Sequence, residues 1–386
     1  MSISKTSFHR SSFSRPQLLL FILVFGLVGI LIWRSFAAPN PSLPGDLNND
    51  NTVNITDLSI LLSDYSSTDP TKISQADINN DGTVNILDLS LLLGHWGQSV
   101  AAPAAQFWAS SSFINNPIPS SATLDPNSST WINYLNSTNT SFYINWNQWT
   151  TPIYHATGTT PTATFLIKNQ NRHITFPYQS SFKQDNTADA GIAIINDTTG
   201  CVYEFESFDP TTQTVNAEQT YRSIQTSSGL HANDSGVTGS NIAEIGGIIT
   251  PQDVNSGSIN HSLRLITNYN APQFVSPANR SDGTHAGGIP EGELLQLDPN
   301  LDLTPFNLNP FQIMVAKALQ KYGAYDSDSS NNVVTITAEN TQDGTTYKYT
   351  PTNLPGSLIL HMRFLNSNLP TPSADSRTTA GCSQPF

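Results

Sequence analysis

Residues 46–65, DLNNDNTVNITDLSILLSDY, return 31 positions later as DINNDGTVNILDLSLLLGHW from Asp77. Such a repeat constrains the chain more than any bulk property, because both copies must fold alike and neither is long enough to bury a core alone. Oxygen-bearing side chains fall at positions 1, 3, 5, 9 and 12 of each copy. They are Asp46, Asn48, Asp50, Asn54 and Asp57, then Asp77, Asn79, Asp81, Asn85 and Asp88.

Hard oxygen donors at this alternation suit calcium. A tight loop turns successive odd positions inward, position 7 offers its backbone carbonyl, here Thr52 or Thr83, and a carboxylate at position 12 closes the shell. The spacing predicts two Ca2+ ions. Position 6 needs a permissive backbone, which Gly82 supplies freely and Asn51 less freely, so the second loop is expected to bind more tightly. After each loop the apolar spacing becomes helical, with Leu58, Leu61, Leu62 and Tyr65 matched by Leu89, Leu92, Leu93 and Trp96. These stripes are expected to bury against one another. The roughly 53 residues from Gly45 to Gly97 make a small core, so metal binding should supply much of the folding free energy.

The paired D-x-N-x-D-[GN]-T-V-N-x-x-D-L segments resemble the type I dockerin family over residues 45–97. The resemblance implies F-hand calcium loops, EF-hand-like but without the entering helix, in a small all-α domain. It also implies a cohesin-like partner and a secreted setting tied to polysaccharide breakdown. The chain departs from the family at loop positions 10 and 11, often Ser-Thr but here Ile55-Thr56 and Ile86-Leu87, and at positions 17 and 18, here Leu62-Ser63 and Leu93-Gly94. Calcium chemistry carries over more securely than partner choice.

Leu18 to Trp33 is a sixteen-residue run of apolar residues and Gly, preceded by Lys5, Arg10 and Arg15. The positive flank predicts export of everything after residue 38. The length falls between a signal-peptide core and a membrane span, so either a single-pass anchor over residues 18–38 or a cleaved signal peptide fits. The reading divides the chain into a basic tail and hydrophobic segment (1–38), a Pro-rich linker (39–44), the calcium domain (45–97), a second linker (98–106) and a large domain (107–386).

The net charge is −13, and setting aside the four basic residues within 1–34 leaves about −17 for the rest. That balance argues against nucleic acid and fits cations or neutral polymers such as polysaccharide. Low charge and abundant small polar residues point to a mainly β large domain. Short runs at Phe142–Trp146, Ala163–Ile167, Gly191–Ile195, Val202–Phe205, Ser262–Ile266, Val333–Thr337 and Tyr347–Thr350 suggest a sandwich or jelly roll, with a turn at 196–200 and one helix at Pro310–Tyr322. The segment from Gly246 to Arg264 is loosely similar to exported bacterial β-rich proteins of unassigned activity. Cys201 and Cys382 are too far apart in sequence for a zinc or CxxC motif, and pairing is left open.

No catalytic site is legible in this half. Glu204 and Glu206 share a strand face, either as a site or as a solvated face, and Glu244, Asp253, Glu291 and Glu293 are further carboxylates for a glycosidase pair. His261 and Arg264 follow a turn, while His231 and His285 sit in loops without metal-ligand spacing. There is no GxSxG, HExxH or phosphate loop. Trp108, Trp131, Tyr134, Tyr143, Trp146 and Trp149 suit either a core or sugar stacking.

Overall fold

The protein is described here by a computed structural model covering residues 43–47, 53–79, 81–98, 107–232, 236–330, 333–366, 369–375 and Cys382. The hydrophobic run 18–33 lies outside the described residues. Among those described, no helix is long and apolar enough to cross a membrane. The chain forms two compact units, Met1–Val100 and Ala101–Phe386.

In the first unit the two copies yield helices Ile55–Asp64 and Ile86–Gly94, with the short helix Pro70–Ala76 between them. Asn54 and Asn85 cap these helices, and Asp57 and Asp88 return the bond in capping boxes. The copies are tied reciprocally. Ser66 N donates to Val84 O at 2.9 Å, and Gly97 N, its counterpart 31 residues on, donates to Val53 O at 2.9 Å. Each copy therefore completes the other's backbone bonding.

The core of this unit is Val53, Leu61, Ala76, Val84 and Leu92, with Leu58 and Leu89 packed at its edge. This corrects the expected stripe: Leu62, Tyr65, Leu93 and Trp96 are exposed. The loop valines and Ala76 occupy the interior that those larger side chains were expected to fill.

The second unit is β-rich with helices. Its largest sheet has eight strands in the order Thr123–Leu124, Met362–Asn366, Leu294–Leu297, Ala324–Ser329, Leu263–Thr267, Thr335–Thr337, Ser141–Asn145 and Leu354–Pro355. A four-stranded sheet runs Ile153–Ala156, Ile192–Asn196, Val202–Glu206 and Ala217–Tyr221, and a three-stranded one Arg172–Pro177, Thr162–Ile167 and Thr214–Val215. A jelly roll is antiparallel throughout, whereas Leu263–Thr267 pairs in parallel with Ala324–Ser329, Ser141–Asn145 with Thr335–Thr337, and Ile153–Ala156 with Ile192–Asn196. The jelly-roll expectation is therefore corrected to mixed sheets.

The run IAII explains the central position of the four-stranded sheet. Ala193 and Ile195 face one core with Val202 and Tyr221, while Ile192 and Ile194 face another with Phe165, Phe176 and Phe205. A strand buried on both faces reads as continuously apolar. The helix at Pro310–Lys321 is capped by Asn309 and followed by Gly323 at φ 73°. Tyr347–Thr350 is not a strand: the Lys348 N–H donates to the Asn255 side chain, at 2.7 Å to Oδ1, and the Tyr347 hydroxyl anchors the segment by donating to Glu339 O at 2.8 Å. Cys201 and Cys382 form a disulfide.

Candidate functional site

The loops of the first unit come first. Asn48, Asp50 and Thr52 lie outside the described residues, so only the ends of the first loop can be placed. Asp57 is fully buried, its Oδ1 accepting Leu47 N at 2.8 Å and its Oδ2 accepting Asn54 N at 2.9 Å. The second loop repeats this. Asp88 is equally buried and accepts Ile78 N at 2.9 Å, Asn79 N at 3.2 Å and Asn85 N at 2.8 Å. The position-12 carboxylate thus stitches the loop entrance to the helix start.

Between those ends the chain wraps around its own oxygens. Asp81 N donates to Asp77 Oδ1 and Asn79 Oδ1, at 3.1 and 2.9 Å, and Gly82 N donates to Asp77 Oδ2 at 2.8 Å. Asn79 Nδ2 and Asn85 Nδ2 both reach Asp81 Oδ2, at 2.8 and 3.4 Å, and Asn85 Nδ2 lies 3.4 Å from Thr83 O. Hydrogen bonds from the Thr83 hydroxyl and the Asn79 amide hold Asp81 below the usual carboxylate range. Gly82 adopts φ 88°, as position 6 requires.

No group of three or more His, Cys, Asp or Glu side chains that could hold a metal is gathered among the described residues. The second loop instead spaces its carboxylates with amide and carbonyl oxygens. This donor chemistry fits a hard cation such as calcium.

The exposed side chains of the unit are also paired by the repeat. Ile55 and Ile86 are 65% and 61% exposed, and Leu62 and Leu93 are 56% and 52% exposed. Large apolar residues so open, at equivalent places in both copies, leave each helix with an uncovered ridge.

In the second unit a cleft of about 620 Å³ opens against strands Leu263–Thr267 and Ala324–Ser329. Among the described residues its walls carry Asp185, Asp189, Glu206, Glu244, Asp282 and Asp328 against two cations, Arg264 and Arg280. Trp149 lies on the wall and is 49% exposed. The other five aromatics singled out in the sequence do not line the cleft; Trp108 and Trp131 are core residues.

The carboxylates are held, not scattered. Arg264 contacts Glu244 Oε1 at 3.2 Å through Nη1 and Asp328 Oδ2 at 2.9 Å through Nη2, and the Thr151 hydroxyl donates to Glu244 Oε1 at 2.8 Å. A register shift between Leu265 and Ile266 brings Asp328 opposite Ile266. Burial pushes Asp328 up to about 7 despite the opposing pull of Arg264. Desolvation, with the charges of Glu244 and Asp185, raises Asp189, and desolvation with Asp189 and Glu244 raises Glu206.

Of the carboxylates picked from sequence, Glu206 and Glu244 meet in this cleft. Glu204 is not on a solvated face: it is fully buried behind Glu244, whose N–H it accepts. Glu291 and Glu293 are also buried. Asp253 caps helix Pro251–Ser256 and pairs with His261 at 3.3 Å, and that histidine secures the turn. His231 is buried and lies edge-on to Tyr221, while His285 packs near Tyr269. Asp185, Asp189, Asp282, Asp328 and Arg280 were missed, since nothing in their local sequence marks them.

Comparison with known proteins places a dockerin type I domain at residues 44–95. That match does not extend to the C-terminal part. No curated protein and no solved structure matches the chain.

Proposed function

We propose that the type I dockerin domain of residues 44–95 holds two calcium ions and attaches an extracellular, polysaccharide-directed C-terminal unit to a cohesin-like module. The observation that carries this is the equivalence of Leu47–Asp57 and Ile78–Asp88, where both copies close the same buried carboxylate on the same backbone position. Asp46, Asn48, Asp50, the Thr52 carbonyl, Asn54 and Asp57 would hold one ion. Asp77, Asn79, Asp81, the Thr83 carbonyl, Asn85 and Asp88 would hold the other. Calcium supplies charge neutralisation and loop closure, not reaction chemistry.

Calorimetric titration of the full chain should show two binding events, the tighter removed by Asp81→Ala and the weaker by Asp50→Ala. A single event, or none, contradicts the assignment. The exposed pairs Ile55/Leu62 and Ile86/Leu93 are the surfaces offered to the cohesin-like partner. The double change Leu62→Asp with Leu93→Asp should abolish capture by a cohesin panel while leaving calcium binding intact.

Export places the unit outside the cell, tethered through residues 18–38 or released after cleavage at their end. In the cleft, O-glycosyl hydrolysis would use Asp328 to protonate the leaving glycosidic oxygen as its C–O bond breaks. Glu244 would take the proton of the water whose oxygen bonds the anomeric carbon. Reducing-sugar release from a polysaccharide panel, lost in Asp328→Asn, is the expected result. One observation favours a non-catalytic glycan- or protein-binding envelope protein, in which calcium stiffens a spacer: Arg264 engages both carboxylates and restrains either from moving a proton. Binding without release of reducing sugar would select it.

A further inference from the structure

We infer that the cohesin-like partner docks on helix Ile86–Gly94 and not on its repeat Ile55–Asp64, and that it presents an uncharged, apolar patch there. The inference rests on the reading that residues 44–95 attach the chain to a cohesin-like module.

The two helices share a buried side but differ outside. Ile86, Leu87, Ser90, Leu91, Leu93 and Gly94 are all exposed. At about 3.6 residues per turn they form one face covering roughly 160° of the helix. The only ionisable side chain of this helix, Asp88, is fully buried, so the face carries no charge. Leu87 stands where the first copy has Thr56, and Gly94 where it has Ser63. Leu91 is 38% exposed, whereas its counterpart Ile60 is partly covered. The second face is therefore both wider in apolar surface and poorer in hydroxyls than the first.

Charge separates them further. At the edge of the first face Lys72 Nζ lies 3.0 Å from Asp64 Oδ1 and reaches Ser63 O at 3.5 Å, with the lysine side chain 46% exposed. A partner covering that edge would strip water from the ammonium group, a cost that its one carboxylate offsets only in part. In the second copy Gly94 and His95 take the places of Ser63 and Asp64, and His95 Nδ1 bonds Gln98 Oε1 at 2.9 Å. Docking on Ile86–Gly94 removes leucine surface from water without dehydrating an ion pair. The same physics describes the partner: a Lys, Arg, Asp or Glu at the centre of its patch would be buried against leucines with nothing to pair it, so the matching patch is apolar.

The test is calorimetry of the full chain against a panel of purified cohesin modules, with calcium saturating throughout. Leu93→Asp should weaken the best pair by about thirtyfold or more, whereas the equivalent change Leu62→Asp should stay within about threefold of the parent chain. Leu87→Thr, which gives the second face the residue of the first, should weaken binding by about threefold to tenfold. Raising sodium chloride from about 0.1 to about 0.5 M should change the parent affinity by less than about twofold, because no charged pair is screened.

Equal losses from Leu62→Asp and Leu93→Asp, or the larger loss from Leu62→Asp, overturn the inference and leave the cohesin reading standing. A steep fall in affinity with salt overturns the apolar patch in the same way. Calcium-dependent self-association that disappears in Leu93→Asp, with no cohesin bound, assigns the face to a second copy and overturns both readings, as does absence of binding to every module. Calcium titration of each variant, expected to match the parent chain, separates a lost contact from a lost fold.

Discussion

Glu204 Oε2 accepts the backbone N–H of Glu244 at 2.9 Å, and its Oε1 accepts that of Ile245 at the same distance. A residue buried in one sheet thereby fixes the segment whose side chain enters the cleft. Arg264 then fixes that side chain from strand Leu263–Thr267.

Glu204→Gln should destabilise the larger unit by about 1–3 kcal/mol, since an amide cannot accept from both backbone groups. Chemical denaturation above pH 8, where Glu204 is ionised and accepts from both groups, measures this. An unchanged midpoint would mean that the 244–245 segment is held by other contacts.

Burial raises Glu204, Glu293 and Glu339 to about 8 each, and Asp328 to about 7. Between the ordinary carboxyl value and these values the folded chain retains protons that the unfolded chain has released. Stability therefore falls as pH rises through that window. The melting temperature of the full chain should be higher at pH 5 than at pH 8, with a smaller drop in Glu204→Gln.

The Asp253–His261 pair adds its own window. Burial pushes Asp253 up, but the His261 charge and bonds from His261 and Thr250 outweigh it, leaving Asp253 below 3.8. Burial likewise pulls His261 down, and Asp253 outweighs it, leaving His261 above 6.5. The aspartate's contribution is full above 3.8 and lost as pH falls through its folded value. The histidine's is full below 6.5 and lost as pH rises through its folded value. His261→Ala should cost about 1–3 kcal/mol at pH 5 and less at pH 9, by thermal melts at both.

Gly82→Ala should weaken calcium binding chiefly through the backbone. Its φ is 88° and an added Cβ would meet nothing within 4 Å, so the cost of about 1 kcal/mol is conformational. Gly82→Asn, matching the first loop, should cost less. Calcium affinities of the two variants decide the order.

Cys382→Ser should destabilise the larger unit by about 2–5 kcal/mol, because the bridge to Cys201 closes a separation of 181 residues. Melting with and without reductant checks this: reductant should lower the midpoint of the parent chain and leave the variant unchanged.

Sequence by itself determined the dockerin repeat, because its signature is local: the oxygen-bearing side chains, the glycine and the capping asparagine fall within twelve residues at set intervals. The helix at Pro310–Lys321 was legible for a similar reason, since its cap, its periodicity and its stop are all neighbours. Tertiary structure alone decided which leucines of the repeat stay outside, because Val53, Val84 and Ala76 compete for the same small interior. It alone decided the cleft. Asp189, Glu244, Arg264, Asp282 and Asp328 come from segments far apart in the chain, and parallel pairing, a register shift and one buried glutamate bring them together. No periodicity records such a meeting, because the forces that arrange it act between elements rather than along them.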